Sequence, residues 1–172
     1  MVYPIISAGQ RITSSLLTSM LPLETFKTAS TTRTSTTVFA DDPDLTLQLE
    51  ANATYFVEIH VVFGALAAED IKTNWTTPSG SVGNRTANGP GSTALEGNAD
   101  NVSGKYGLHG YGTTITYNGV RDSASNQAWF IETSKIVTTN AGTCALQWAQ
   151  GTSGVTGTTV GVGSYMRAKR MA

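Results

Sequence analysis

Tyr55-Phe56-Val57-Glu58-Ile59-His60-Val61-Val62-Phe63 is the stretch on which the fold class turns. Tyr55, Val57, Ile59, Val61 and Phe63 form one wholly apolar face at a period of two, while Phe56, Glu58, His60 and Val62 form a mixed one. Such alternation belongs to a strand with one face in a core and the other turned outward. Upstream, Leu45, Leu47 and Leu49 alternate with Thr46, Gln48 and Glu50 in the same way. Downstream, Ile71-Lys72-Thr73-Asn74-Trp75-Thr76 reads as a strand ended by Pro78-Ser79-Gly80. Strand patterns resume over 107–117, 127–138, 143–150 and 158–169, with turn signals at Asn118-Gly119, at Asn140-Ala141-Gly142 and among the glycines of 151–157. About eight strands at this spacing predict an all-β fold, a single antiparallel β-sandwich of jelly-roll type. Val57, Ile59, Val61, Cys144, Leu146 and Trp148 are its predicted core.

Composition points the same way. The 172 residues include 27 Thr, 15 Ser and 18 Gly, which suit strands and turns and make poor helices. An apolar share of 40% is too high for a disordered chain. Lys and Arg number 11 against 12 Asp and Glu, so the basic footprint of a nucleic-acid binder is missing. No run of about 18 apolar residues is present, so no membrane partner is expected. Arg11 interrupts the only stretch that could open a signal peptide, and none is expected. Cys144 is the only cysteine, which removes an intrachain disulfide and a multi-cysteine zinc site. It lies in phase with Leu146 and Trp148 and is expected to be a buried structural residue.

Two segments depart from the strand pattern. Ile12, Leu16 and Met20 recur at helical spacing, Thr13 or Ser14 can cap the start, and Pro22 ends the run, which predicts a short helix over about 13–21. Two or three turns are marginal alone, so this helix must lie against its own sandwich or another chain. The organisation expected is an N-terminal anchoring arm over 1–25 and a sandwich domain over 26–172, with Ile12, Leu16, Leu17 and Met20 as the arm's partner contacts. The second segment, 78–92, is rich in Gly, Pro, Ser and Asn and reads as a long exposed loop. Ser79, Asn84, Arg85 and Asn88 are its outward-facing candidates.

Catalytic chemistry finds little support. His60 and His109 fall on separate predicted strands, and no His-Glu-x-x-His, phosphate loop or Gly-x-Ser-x-Gly elbow occurs. Glu58 beside His60 could be an acid–base pair, but a hydrogen-bonding role across the sheet or between subunits is the plainer expectation. Asp41-Asp42-Pro43-Asp44 is the only acidic cluster, and it lacks the alternating spacing of a calcium loop. A solvated turn before the Leu45 strand is expected there. Trp75, Trp129 and Trp148 could form a sugar-stacking platform, yet each falls inside a predicted strand, where packing is the default. The expectation is a non-enzymatic protein with no catalytic residues, cofactor or metal.

These motifs together resemble a known group. Ser7-Ala8-Gly9-Gln10-Arg11-Ile12, Leu16-Leu17-Thr18-Ser19-Met20-Leu21-Pro22, Leu49-Glu50-Ala51-Asn52-Ala53-Thr54-Tyr55, Ala68-Glu69-Asp70-Ile71-Lys72 and Leu146-Gln147-Trp148-Ala149-Gln150 are similar to small virion structural proteins of tailed bacteriophages infecting actinobacteria. The likeness extends over nearly the whole chain. It implies a minor tail, fibre or decoration component assembled in the host bacterial cytoplasm, with no catalytic residues to carry over. It also implies a homotrimer contacting other virion proteins. Without a coiled coil, triple-stranded shaft or repeat array, a capsid-decorating or head-fibre role is expected over a tail fibre that binds a host cell-surface glycan.

Overall fold

Antiparallel pairing organises every strand of the computed structural model, which describes residues 6–18, 20–91 and 104–171. In chain order these are β1 (Leu23–Phe26), β2 (Thr31–Arg33), β3 (Ala40–Leu49), β4 (Ala53–Ala65), β5 (Ile71–Thr76) and β6 (Arg85–Pro90), followed by β7 (Gly104–His109), β8 (Ile115–Tyr117), β9 (Ser123–Thr138), β10 (Gly142–Gln150), β11 (Thr158–Val160) and β12 (Tyr165–Arg170). One sheet has eight strands in the order β1-β12-β4-β9-β6-β7, with β11 joining β4 to β2. The other has four, in the order β3-β10-β5-β8. The fold is all-β, and its two sheets are compatible with a β-sandwich.

The alternating run from Tyr55 to Phe63 lies in β4, and its long partner is β9. They pair without a break from Ala53↔Thr138 to Phe63↔Ala128. At Gly64 the register slips, because a side chain there would stand 2.2 Å from the Ala124 carbonyl oxygen. A glycine lets the two backbones pass before pairing resumes at Ala65↔Ser123. The apolar face of β4 packs with Phe130 and Ile136 of β9 and Met166 and Ala168 of β12 against Leu45, Ile71, Cys144, Leu146 and Trp148 of the second sheet. All six predicted core residues are fully buried.

Several boundaries differ from expectation. The two-sheet body begins at Leu23 rather than at 26. The strand expected over 107–117 is two strands in different sheets, because Gly110 and Gly112 let the chain turn between β7 and β8. That expected over 158–169 is β11 and β12, separated at Gly163 with φ of +93°. Part of the expected 78–92 loop is β6, paired to β9 on one side and β7 on the other. Its Gly89 marks close packing rather than a turn: a Cβ there would lie 2.5 Å from Phe130 Cβ and 2.9 Å from the Tyr117 ring. Those two rings stack at 4.1 Å. Asp41 to Asp44 belong to β3 and not to a solvated turn. Residues 1–5 and 19 of the arm and Ser92 of the expected loop lie outside the described residues.

Candidate functional site

Buried ionisable groups, the usual mark of an active site, form two clusters inside the fold. Arg85 enters the core from β6 and Glu132 from β9, both 0% exposed, and they form an ion pair. Glu132 Oε1 accepts from Thr73 Oγ1 at 2.6 Å and from Tyr117 OH at 3.0 Å. Its Oε2 accepts from Trp75 Nε1 at 2.5 Å and from Arg85 Nη1. Arg85 Nη2 donates to the Thr73 carbonyl at 2.9 Å and to that of Thr113. Each carboxylate oxygen therefore holds two donors, and a substrate would have to displace one. Desolvation first, then the Glu132 charge, holds the Tyr117 phenol far above its ordinary value. This arrangement ties β5 and β8 of one sheet to β6 and β9 of the other.

A second cluster sits between β1, β3 and β10. Lys27 Nζ donates to Asp42 Oδ1 at 2.9 Å, to Asp44 Oδ2 at 2.8 Å and to Thr31 Oγ1 at 2.9 Å. Asp42 also accepts from its own strand, at Asp44 N (3.0 Å) and Leu45 N (3.1 Å), and from Trp148 Nε1 at 2.9 Å. The cation of the acidic cluster is thus Lys27. Arg33 lies over the Trp148 ring, 4.0 Å from its centroid. Among the described residues no three His, Cys, Asp or Glu stand together as a metal set. Burial pushes the Cys144 thiol up to about 12.

The outer face of the eight-stranded sheet is different in kind. Phe26 pairs with Tyr165, Tyr165 with His60, His60 with Ile131, Ile131 with Asn88 and Asn88 with Tyr106. These six residues form one row running straight across six strands. His60 stacks offset against Tyr165 at 5.3 Å and 9° and against Trp129 at 6.1 Å and 15°. Phe26 is 66%, Tyr106 80% and Trp129 51% exposed. Glu58 accepts from Tyr165 OH at 2.7 Å and pairs with Arg167 at 3.2 Å, so it holds no bond to His60. That hydrogen bond, more than burial, raises the Tyr165 phenol.

Ile12 and Leu17 are exposed, whereas Leu16 and Met20 are half-buried. Met20 borders an open hollow of about 750 Å³ with Phe56, Lys169, Arg170 and Met171. Ser79, Asn84 and Asn88 are exposed, with Asn88 in a strand rather than a loop. Arg85 is not outward-facing: its guanidinium is drawn into the core by Glu132. Trp75 and Trp148 are buried as indole donors to carboxylates, and only Trp129 of the three could meet a sugar. Phe26, Tyr106 and Tyr165 are not among the sequence-derived site candidates, because only pairing register brings them into line.

Comparison with known proteins adds no assignment. No family model, curated protein or solved structure matches this chain.

Proposed function

We propose that this chain is a non-enzymatic structural protein on the exterior of a bacteriophage virion, a jelly-roll sandwich that decorates the capsid or forms a head fibre and attaches through its N-terminal segment. The observation that carries this reading is the strand order. The runs β1-β12-β4-β9 and β3-β10-β5-β8, with the β6–β7 hairpin at one edge, support it, because a jelly roll of two Greek keys would have its strands in such an order. Jelly rolls recur in viral capsid and lectin domains, an argument by analogy that the sequence resemblance to phage virion proteins strengthens. The helical turn Ser14–Thr18 supports a short helix in the arm. Exposed Ile12, Leu17 and Leu21 ahead of β1 supply apolar contacts for a capsid protein. Avidity among the arms of a homotrimer would compensate weak single contacts.

The test is deletion of residues 1–22, which stops before β1. The shortened protein should keep its β-sheet circular dichroism and no longer join capsids. A truncated protein that still joins them, or intact virions carrying the chain only at the tail, overturns the reading. A single 18.1 kDa species at micromolar concentration would remove the trimer. The second reading, a minor tail protein that binds a host cell-wall carbohydrate, is favoured by one observation, the exposed Trp129 on a face lined with rings.

A further inference from the structure

We propose that the outer face of the eight-stranded sheet binds a neutral, linear polysaccharide laid across the strands along the row Phe26, Tyr165, His60, Ile131, Asn88 and Tyr106. Strands lie about 4.8 Å apart, so the row spans about 24 Å, room for several linked sugar rings. Its rings are not there to fill a core. Phe26 and Tyr106, at opposite ends, are among the most exposed large apolar side chains of the molecule. Trp129 stands beside the middle of the row, on the far side of His60 from Tyr165. Aromatic rings bury the apolar faces of sugars, while amides and hydroxyls take their hydroxyl groups.

Polar groups are interleaved accordingly. Asn88 lies within the row, and the neighbouring row carries Thr86 and Thr133, whose hydroxyls meet at 2.6 Å. The six row positions contain no Asp, Glu, Lys or Arg, and the adjacent Glu58 is already engaged by Arg167 and Tyr165. Such a stripe favours an uncharged ligand over a phosphate or an acidic polymer. A second copy of the chain fits the face less well: it would have to cover the charged Glu24, Glu58, Arg167 and Lys169 flanking the rings. The stacking of His60 between Trp129 and Tyr165 fixes these side chains in advance, which lowers the entropy lost on binding.

The experiment uses the intact, isolated protein and reads tryptophan fluorescence under acrylamide quenching. Trp75 and Trp148 are buried, so the quencher reaches Trp129. The probes are cellohexaose, chitohexaose, laminarihexaose and maltohexaose. At least one should shield Trp129 at millimolar concentration. Tyr106→Ala should weaken that hexasaccharide about tenfold, the upper range for a single ring contact. Trp129→Ala, followed by calorimetry, should do the same with an unchanged melting temperature. Val155→Ala, on the exposed turn between β10 and β11, should leave affinity unaltered. Absence of shielding by all four sugars overturns the proposal, as does full affinity in Tyr106→Ala and Trp129→Ala. An oligomer that Tyr106→Arg dissolves would also overturn it, because the face would then be an interface between copies. The readout needs no virion, so this inference and the proposed capsid role fail separately.

Discussion

Glu132 and Asp42 are both buried carboxylates paired to a buried cation and to a tryptophan indole, yet they are held in different ways. Asp42 takes two of its donors from backbone amides two and three residues along its own strand. Glu132 takes all four from side chains at least 15 positions away. The first is a locally braced residue to which Lys27 adds a clasp. The second exists only once β5, β6, β8 and β9 have come together. Equal burial therefore does not mean equal dependence on the partner cation.

The largest effect should come from breaking the Glu132 cluster. Arg85→Met leaves a carboxylate in the core without its cation and should cost about 3–5 kcal/mol in urea unfolding. Combining it with Glu132→Met should recover only part of that loss, since it removes the unpaired charge but leaves Thr73, Trp75 and Tyr117 without their acceptor. If the double variant is no better than the single, the network has a role beyond charge balance. Lys27→Met should cost less, about 1–3 kcal/mol: each carboxylate keeps three donors, but two of Asp42's are backbone amides of its own strand, held in place without the cation. Equal losses for Arg85→Met and Lys27→Met would break the contrast between local and distant support.

Alkaline titration sharpens it further. The Tyr117 phenol is raised in the folded state, so its contribution is complete below about pH 10 and is lost as pH rises above that. Cys144 behaves likewise from about pH 9 upward, losing about 1.4 kcal/mol for each pH unit until its folded value near 12. Cys144→Ala should flatten the stability profile between pH 9 and 10, and Tyr117→Phe should flatten it only above pH 10. At neutral pH Tyr117→Phe should cost about 1 kcal/mol, the worth of one hydrogen bond. The smallest effect is outside: Glu58→Gln, whose partner Arg167 is half exposed and whose oxygen can still accept from Tyr165, should change stability by less than about 1 kcal/mol.

How far these features could be read in advance depends on the range of the interaction. The period of two in β4 placed Val57, Ile59 and Val61 inside, and the Cys144, Leu146, Trp148 phase did the same for β10. The same rule was available for β9, where Phe130 and Ile136 put Glu132 in the inward phase, and a buried carboxylate demands a cation. Nothing local says that the cation is Arg85, because the Gly and Asn around it carry the composition of a loop. The aromatic row was hidden for a related reason. Phe26 and Tyr106 are 80 positions apart, and pairing through four intervening strands aligns them.

The place of β12 has a consequence for biosynthesis. This strand, near the end of the described chain, lies between β1 and β4, two of the earlier strands. Until β12 has been made, β1 has no strand to pair with and β4 lacks its neighbour from Tyr55 to His60. Most connections, moreover, cross from one sheet to the other, so few contacts form between neighbours in sequence. The eight-stranded sheet should therefore close only once β12 has been made, and slowly for its length. A nascent chain arrested before β12 would leave part of its apolar face open to solvent and to chaperones.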